Sequence, residues 1–341
     1  ISLMQRSTMQ DAISAPKVGG IVRLTKFILQ GTFLIELIGA ILMFPVFCRD
    51  YGWKGIWMSV FHSVSAFCNA GFDILGTAGQ TFPSLTGYIA NPLINLVIML
   101  LIVIGGIGFL TWDDFCTNKW NLKRYRLQSK IILVTTAVLI LLPAIFFFLS
   151  DFAGFSMGKR ILASFFQSVT LRTAGFNTAD LGAMNDSSKA IMTLMMLIGG
   201  SPGSTAGGMK TTTIAVLILN AFATFGREPE TEVFGRRFDN TVVKNAATIA
   251  ILYFFLFFTG GIAISQIEHV ALSDCLFETA SAVGTAGLTL GITTELGLVS
   301  HLILVVLMYL GRVGGLTLIY AAISVKIQSG AKRPLDKITV G

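Results

Sequence analysis

The sequence predicts an all-α polytopic membrane protein built of repeated units, each a membrane helix, a short pore-loop helix that turns back, and a second membrane helix. Three observations predict it. Of the 341 residues 53% are hydrophobic and 13% charged, a charged share about half that of a soluble domain. The run Ala66-Phe67-Cys68-Asn69-Ala70-Gly71-Phe72 returns as Leu171-Arg172-Thr173-Ala174-Gly175-Phe176-Asn177 and as Val283-Gly284-Thr285-Ala286-Gly287-Leu288-Thr289. Repetition with a period of about a hundred residues, mostly apolar, points to units stacked in a membrane and not to a soluble solenoid. The third observation is the placement of the basic residues, which gather between the units.

Residues 1–20, with Arg6, Asp11 and Lys17, read as the end of a preceding helix; the chain opens without an initiator methionine and reads as part of a longer protein. The first visible unit covers 21–116. Residues 21–47 are long enough to cross about 30 Å of hydrocarbon and contain Glu36 and Pro45. A polar turn at 49–55 leads to a short apolar helix, 56–67, the first motif and a Gly- and Thr-rich return. A second span is expected over 87–111, ending at Trp112-Asp113-Asp114. The second unit, 117–223, opens on a basic stretch and repeats the plan, with a span at 131–150, a half-helix at 159–170, the motif, and a span from Lys189. That last span is interrupted at 199–210. The third unit, 224–325, has a charged loop at 224–244, a span at 245–265, a half-helix at 272–283, the motif and a span at 298–325. A basic tail, 326–341, closes the chain.

Most of the 25 Lys and Arg residues fall in 1–26, 117–130, 224–244 and 326–341, whereas only Arg49, Lys54, Lys159, Arg160 and Lys189 flank the motifs. The positive-inside rule then puts the inter-unit loops in the cytoplasm and the motifs outside. Topology therefore accounts for the net charge of +7, with no need for a nucleic-acid partner. The scattered Cys48, Cys68, Cys116 and Cys275 contain no Cys-x-x-Cys pair, and His62, His269 and His301 stand equally apart, so neither a metal site nor a disulfide framework is indicated. No catalytic constellation is present.

Non-helical backbone at membrane depth is tolerated only where it lines water or protein. The Ala-Gly motif suits such a lining. Glycine admits conformations that turn successive carbonyl oxygens toward one axis, and rings of carbonyls can replace an alkali ion's hydration shell. The candidate ion filter is therefore Asn69, Ala70 and Gly71, Thr173, Ala174 and Gly175, and Thr285, Ala286 and Gly287, with Phe72, Phe176 and Leu288 expected to anchor the loops behind. The pattern Gly199-Gly200-Ser201-Pro202-Gly203-Ser204-Thr205-Ala206-Gly207-Gly208 cannot sustain a helix. Gly203 to Thr211 nearly matches a phosphate-binding P-loop, but Lys210 stands one residue late and no strand precedes it. Gly105-Gly106-Ile107-Gly108 reads as close helix packing. Arg312 lies within the last span, where a charge normally faces a cavity or partner; carbonyls of 203–207 are its expected partners. Arg172 either pairs with an outer acid such as Asp180 or buttresses its loop. Glu278 reads as structural, and Lys210 as snorkelling to the cytoplasm.

These motifs resemble the Trk/Ktr/HKT superfamily of potassium-translocating membrane subunits, the bacterial Ktr and Trk branch above all, across the whole chain. The resemblance implies four repeats around one pseudo-fourfold pore, each giving a glycine to the filter; three are present here, and the first is absent. It implies that Gly71, Gly175 and Gly287 are filter glycines binding K⁺. Gly203, Ser204, Thr205, Ala206, Gly207 and Gly208 would form an intramembrane gating loop that interacts with Arg312. It further implies a bacterial plasma-membrane protein, a homodimer of pores on a cytosolic ring of nucleotide-binding regulatory subunits, with no cofactor on this chain. Two other readings stand beside potassium uptake. One is a sodium-dependent or sodium-preferring member of the same superfamily; the other is a secondary carrier with broken helices.

Overall fold

The computed structural model describes residues 3–13, 19–77, 83–228 and 230–313. The basic tail at 326–341 and the end of the last expected span, 314–325, lie outside the described residues. Apart from one two-residue hairpin, the regular structure among the described residues is helical.

After α1 (Leu3–Ile13), the first unit begins with α2 (Ile21–Tyr51). Its 31 residues extend about 46 Å, enough to cross a bilayer with turns to spare. It stops at Gly52 and doubles back into α3 (Lys54–Phe67), which is too short to cross. The hairpin is tight because Gly55 carries no side chain: a Cβ there would stand 2.4 Å from the Phe47 carbonyl oxygen. Asn91 caps α4 (Pro92–Gly106), its side chain accepting from the amides of Leu93 and Ile94, with Pro92 at the first helical position.

The span expected over 87–111 is not one helix. It breaks at Ile107-Gly108 and resumes as α5 (Phe109–Asn118), turned by 97°. The cause lies elsewhere in the chain. Gly108 adopts φ +96°, and its Cβ position is filled by the Pro202 carbonyl oxygen at 2.7 Å. Loop 199–210 satisfies the freed backbone: the amides of Ser201 and Thr205 donate to the carbonyls of Gly106 and Gly105, and Phe109 N donates to Gly203 O at 2.8 Å. The glycine run read as helix packing is a helix break held by a second broken helix.

The second unit comprises α6 (Leu127–Leu149), the half-helix α7 (Met157–Thr170), α8 (Asp186–Leu197) and α9 (Thr211–Phe225), the last two separated by the expected interruption. A hairpin of β1 (Glu232–Val233) and β2 (Arg236–Arg237) leads to the third unit, α10 (Asn240–Glu268), α11 (Leu272–Gly284) and α12 (Leu298–Val313). By length and composition α2, α6 and α10 can each cross a membrane alone. Their outer faces leave Phe33, Leu34, Ile41, Leu142, Ile251 and Phe255 exposed, as lipid-facing surfaces require.

Each unit also closes with an acid that the sequence did not single out. Asp50, at the end of α2, accepts from the Tyr88 hydroxyl at 2.9 Å, just before α4. Asp151 accepts from Asn185 N and the Ser188 hydroxyl at the start of α8. Glu268 accepts from Gly297 N and the Ser300 hydroxyl at the start of α12. In all three the clip joins the end of the first helix to the start of, or the turn before, the helix that follows the motif loop.

Candidate functional site

The three motifs adopt one backbone. Asn69, Thr173 and Thr285 have φ of 50°, 61° and 53°, and the glycine two residues later has φ of 72°, 85° and 80°. Left-handed residues thus flank an alanine in each copy. For residues other than glycine this region costs about 1–3 kcal/mol and persists only when the surroundings impose it. The half-helix imposes it: the amides of Ala70, Ala174 and Ala286 donate to the carbonyls of Ser65, Thr170 and Ser281 at 2.9, 3.1 and 2.8 Å.

The three copies meet. A Cβ on Gly71 would lie 2.3 Å from Ala174 O and 2.7 Å from Gly175 Cα; one on Gly175 would lie 2.6 Å from Ala286 O, 3.2 Å from Gly71 Cα and 3.6 Å from Gly287 Cα. Ala174 and Ala286 are buried, whereas the glycines are partly or fully accessible. Half-helices α3, α7 and α11 all run into these loops by their C-terminal ends, where the helix dipole carries about half a negative charge. Backbone oxygens and negative helix ends make an arrangement that suits a cation and disfavours an anion.

Hydroxyls brace the loops from behind: Ser65 Oγ donates to Phe72 O at 2.8 Å and Thr170 Oγ1 donates to Phe176 O. In the third copy Glu278 does this work. Its buried carboxylate accepts from Thr289 Oγ1, Leu290 N and Thr293 Oγ1 at 2.7, 2.9 and 2.6 Å. Phe176 and Leu288 are buried anchors as expected, but Phe72 is 71% exposed and anchors nothing; among the described residues no core closes over it. Arg172 makes no ion pair with Asp180. It is buried, with Nε and Nη2 unpartnered among the described residues, and its carbonyl accepts from Asn69 Nδ2 at 3.2 Å. Its backbone, at least, ties the second loop to the first.

Loop 199–210 packs against the half-helix ends of these hairpins. Thr205 Oγ1 donates to Phe67 O, the last residue of α3, at 2.9 Å. Gly207 sits against Thr285, whose Oγ1 would stand 2.0 Å from an added Cβ, and Gly208, at φ +65°, against the Gly284 carbonyl. Arg312 Nη1 donates to Thr205 O at 2.9 Å. Gly203, Ser204, Thr205 and Ala206 are therefore within one short segment crossed by Arg312. Lys210 does not extend to the cytoplasm; its Nζ turns back to Ala206 O at 2.8 Å. The amides a P-loop would offer to phosphate are engaged, Ser201 and Thr205 with α4, and Met209 with Leu197 O. Among the described residues no group of three or more His, Cys, Asp and Glu stands together as metal ligands.

Residues 1–331 match the family described as "TrkH: Cation transport protein". The chain belongs to that family. TrkH-family proteins are membrane cation transporters and not enzymes, which fits the apolar helices described above. The chain is similar to "Potassium/sodium uptake protein NtpJ" of Enterococcus hirae, 35% identical over 353 residues that cover 100% of this chain and 77% of the relative. It is 33% identical over 348 residues to "Ktr system potassium uptake protein B" of Bacillus subtilis, again covering 100% of this chain and 76% of the relative. In fold it resembles the crystal structure of the potassium transporter TrkH from Vibrio parahaemolyticus, with a TM-score of 0.74 at 19% identity, over 93% of this chain and 69% of that one.

Proposed function

We propose that the chain is the membrane subunit of a potassium uptake system, passing K⁺ inward through a filter of backbone carbonyls. The observation that carries this reading is the meeting of Gly71, Gly175 and Gly287 in three equivalent left-handed loops at the negative ends of three half-helices. Carbonyls of Asn69, Ala70, Gly71, Thr173, Ala174, Gly175, Thr285, Ala286 and Gly287 replace the hydration shell of K⁺. Loop residues 203–208, held by Arg312, obstruct the exit from this filter, and a fixed guanidinium there raises the barrier to a second cation. Motifs face outward and inter-unit loops the cytoplasm, in the plasma membrane of a bacterial cell. As the resemblance to the Ktr and Trk branch implies, the chain works as a homodimer with a cytosolic nucleotide-binding ring, the nucleotide bound by that partner and the contacts made by the charged loop 224–244. The name of the Enterococcus relative favours a second reading, in which sodium accompanies or replaces potassium.

The test is Rb⁺ uptake into potassium-starved cells expressing the protein. Gly175→Asp is expected to abolish uptake or the preference for K⁺ over Na⁺, since its side chain would enter a space already 2.6 Å from a carbonyl. Uptake and preference both unchanged in a correctly inserted variant would overturn the filter assignment.

A further inference from the structure

A surface that ion permeation does not use lies at the bend between α4 and α5. α5 turns 97° away from α4; with α4 crossing the membrane, as the proposed function has it, α5 runs close to the membrane plane. Its depth is set by what it touches. Phe109 packs on the cluster of Ile13, Ile21 and Ile28, and Trp112 lies against Gly31 and Phe67, with its indole N–H on Ile104 O at 3.0 Å. The level of α5 is thus that of residues 21–31, where the exposed Arg23 and Lys26 precede the apolar body of α2. Such a change from basic to apolar marks where a membrane helix enters the acyl region.

The two faces of this segment differ in chemistry. Toward the protein, Asp114 is buried and accepts from Ser129 Oγ at 2.6 Å and Arg126 N at 3.0 Å, and Asp113 pairs with Arg126 at 2.6 Å. Both acids of α5 are consumed there. Toward the outside stand Phe115, Trp120 and Leu122, 51%, 87% and 57% exposed, the two rings edge to face at 5.9 Å. Between and beside them Lys119, Lys123 and Arg124 are exposed and make no ion pair among the described residues. Bare aromatic rings interleaved with unpaired cations, on a helix lying at the interface, match an anionic leaflet: rings enter the acyl boundary and cations meet phosphates.

We propose that α5 and residues 119–124 form an interfacial anchor that binds anionic phospholipid headgroups. Phe115, Trp120 and Leu122 insert, and Lys119, Lys123 and Arg124 hold the phosphates. A protein partner is the competing occupant. The charge favours lipid: the exposed ionised groups of this stretch, Lys119, Lys123 and Arg124, are all cations, and the exposed Thr117 and Asn121 beside them are neutral.

The experiment uses the protein in nanodiscs of phosphatidylcholine, alone or mixed with phosphatidylglycerol. The fluorescence lost in Trp120→Phe isolates this ring from Trp53, Trp57 and Trp112. It is expected to be quenched by lipids brominated near the headgroup end of the acyl chain. In the triple variant Lys119→Gln, Lys123→Gln, Arg124→Gln, the preference for spin-labelled phosphatidylglycerol over phosphatidylcholine falls by about fivefold per charge removed, an upper figure for cations at an anionic surface. All four substitutions are at exposed side chains, so an unchanged melting temperature establishes that the fold is intact. An unquenched, water-like Trp120 signal overturns the proposal, as does an unchanged lipid preference. If Trp120 becomes shielded only when a cytosolic regulatory subunit is added, the surface is a protein dock and the lipid assignment is wrong.

Discussion

At the scale of single residues, the three motif glycines are equivalent in backbone but not in surroundings, and this separates their roles. A Cβ on Gly71 would stand 2.3 Å from a neighbouring carbonyl oxygen, whereas one on Gly287 meets nothing nearer than 3.7 Å. Gly71→Ala must push two hairpins apart, at a cost of about 3 kcal/mol by the measure of overpacked cores. Gly287→Ala carries only the strain of its left-handed φ, about 1–2 kcal/mol. The expected outcome is a clear loss of thermal stability for Gly71→Ala and a small one for Gly287→Ala, read by melting in the same detergent. Equal losses would mean that the loops do not touch as described. Glu278 is a second such case, since removing its carboxylate strands two hydroxyls and an amide. Glu278→Ala is expected to destabilise by about 3 kcal/mol, with Glu278→Gln costing less because the amide oxygen keeps one acceptor.

At the scale of elements, loop 199–210 touches all three units. It donates from Thr205 to the end of α3, accepts from Arg312 of α12, packs Gly207 on Thr285 at the end of α11, and holds the broken α4 through Gly105 and Gly106. A segment tied to so many partners by single hydrogen bonds can shift as a piece when a few are lost. Arg312→Ala removes one tie and the fixed charge together, so Rb⁺ flux is expected to rise; unchanged flux in a folded variant would count against a gating role. This loop also shows how far the sequence could be read. The half-helices and the break at 199–210 were visible because length, Gly and Pro act locally. The break at 107–108 was not, since Gly105-Gly106-Ile107-Gly108 is equally a helix-packing pattern and its decisive partner lies some ninety residues onward (a separation that periodicity cannot bridge). Phe72 departs from expectation for a similar reason: a bulky residue after the motif is an anchor only where a core exists to receive it. The acid clips at Asp50, Asp151 and Glu268 escaped notice because a lone carboxylate at a helix end looks like any solvated charge until its partner is known.

At the scale of the whole molecule, the order in which an ion meets filter and loop depends on orientation, which rests on the basic residues. The structure puts the acid clips and motif loops toward one end of each unit, and the hairpin of β1 and β2 follows α9 at the other. If basic loops are cytoplasmic, an entering cation reaches the carbonyls of Gly71, Gly175 and Gly287 before loop 203–208, so it is stripped of water first and obstructed second. The reverse orientation would reverse that order. In a background with the four native cysteines replaced, Asp180→Cys, near the motif end and exposed, is expected to react with a membrane-impermeant maleimide added outside intact cells. Glu232→Cys, on the exposed hairpin, is expected to react only after the cells are opened. The opposite labelling would place loop 203–208 ahead of the carbonyls on the path of an entering ion, so that obstruction would precede dehydration.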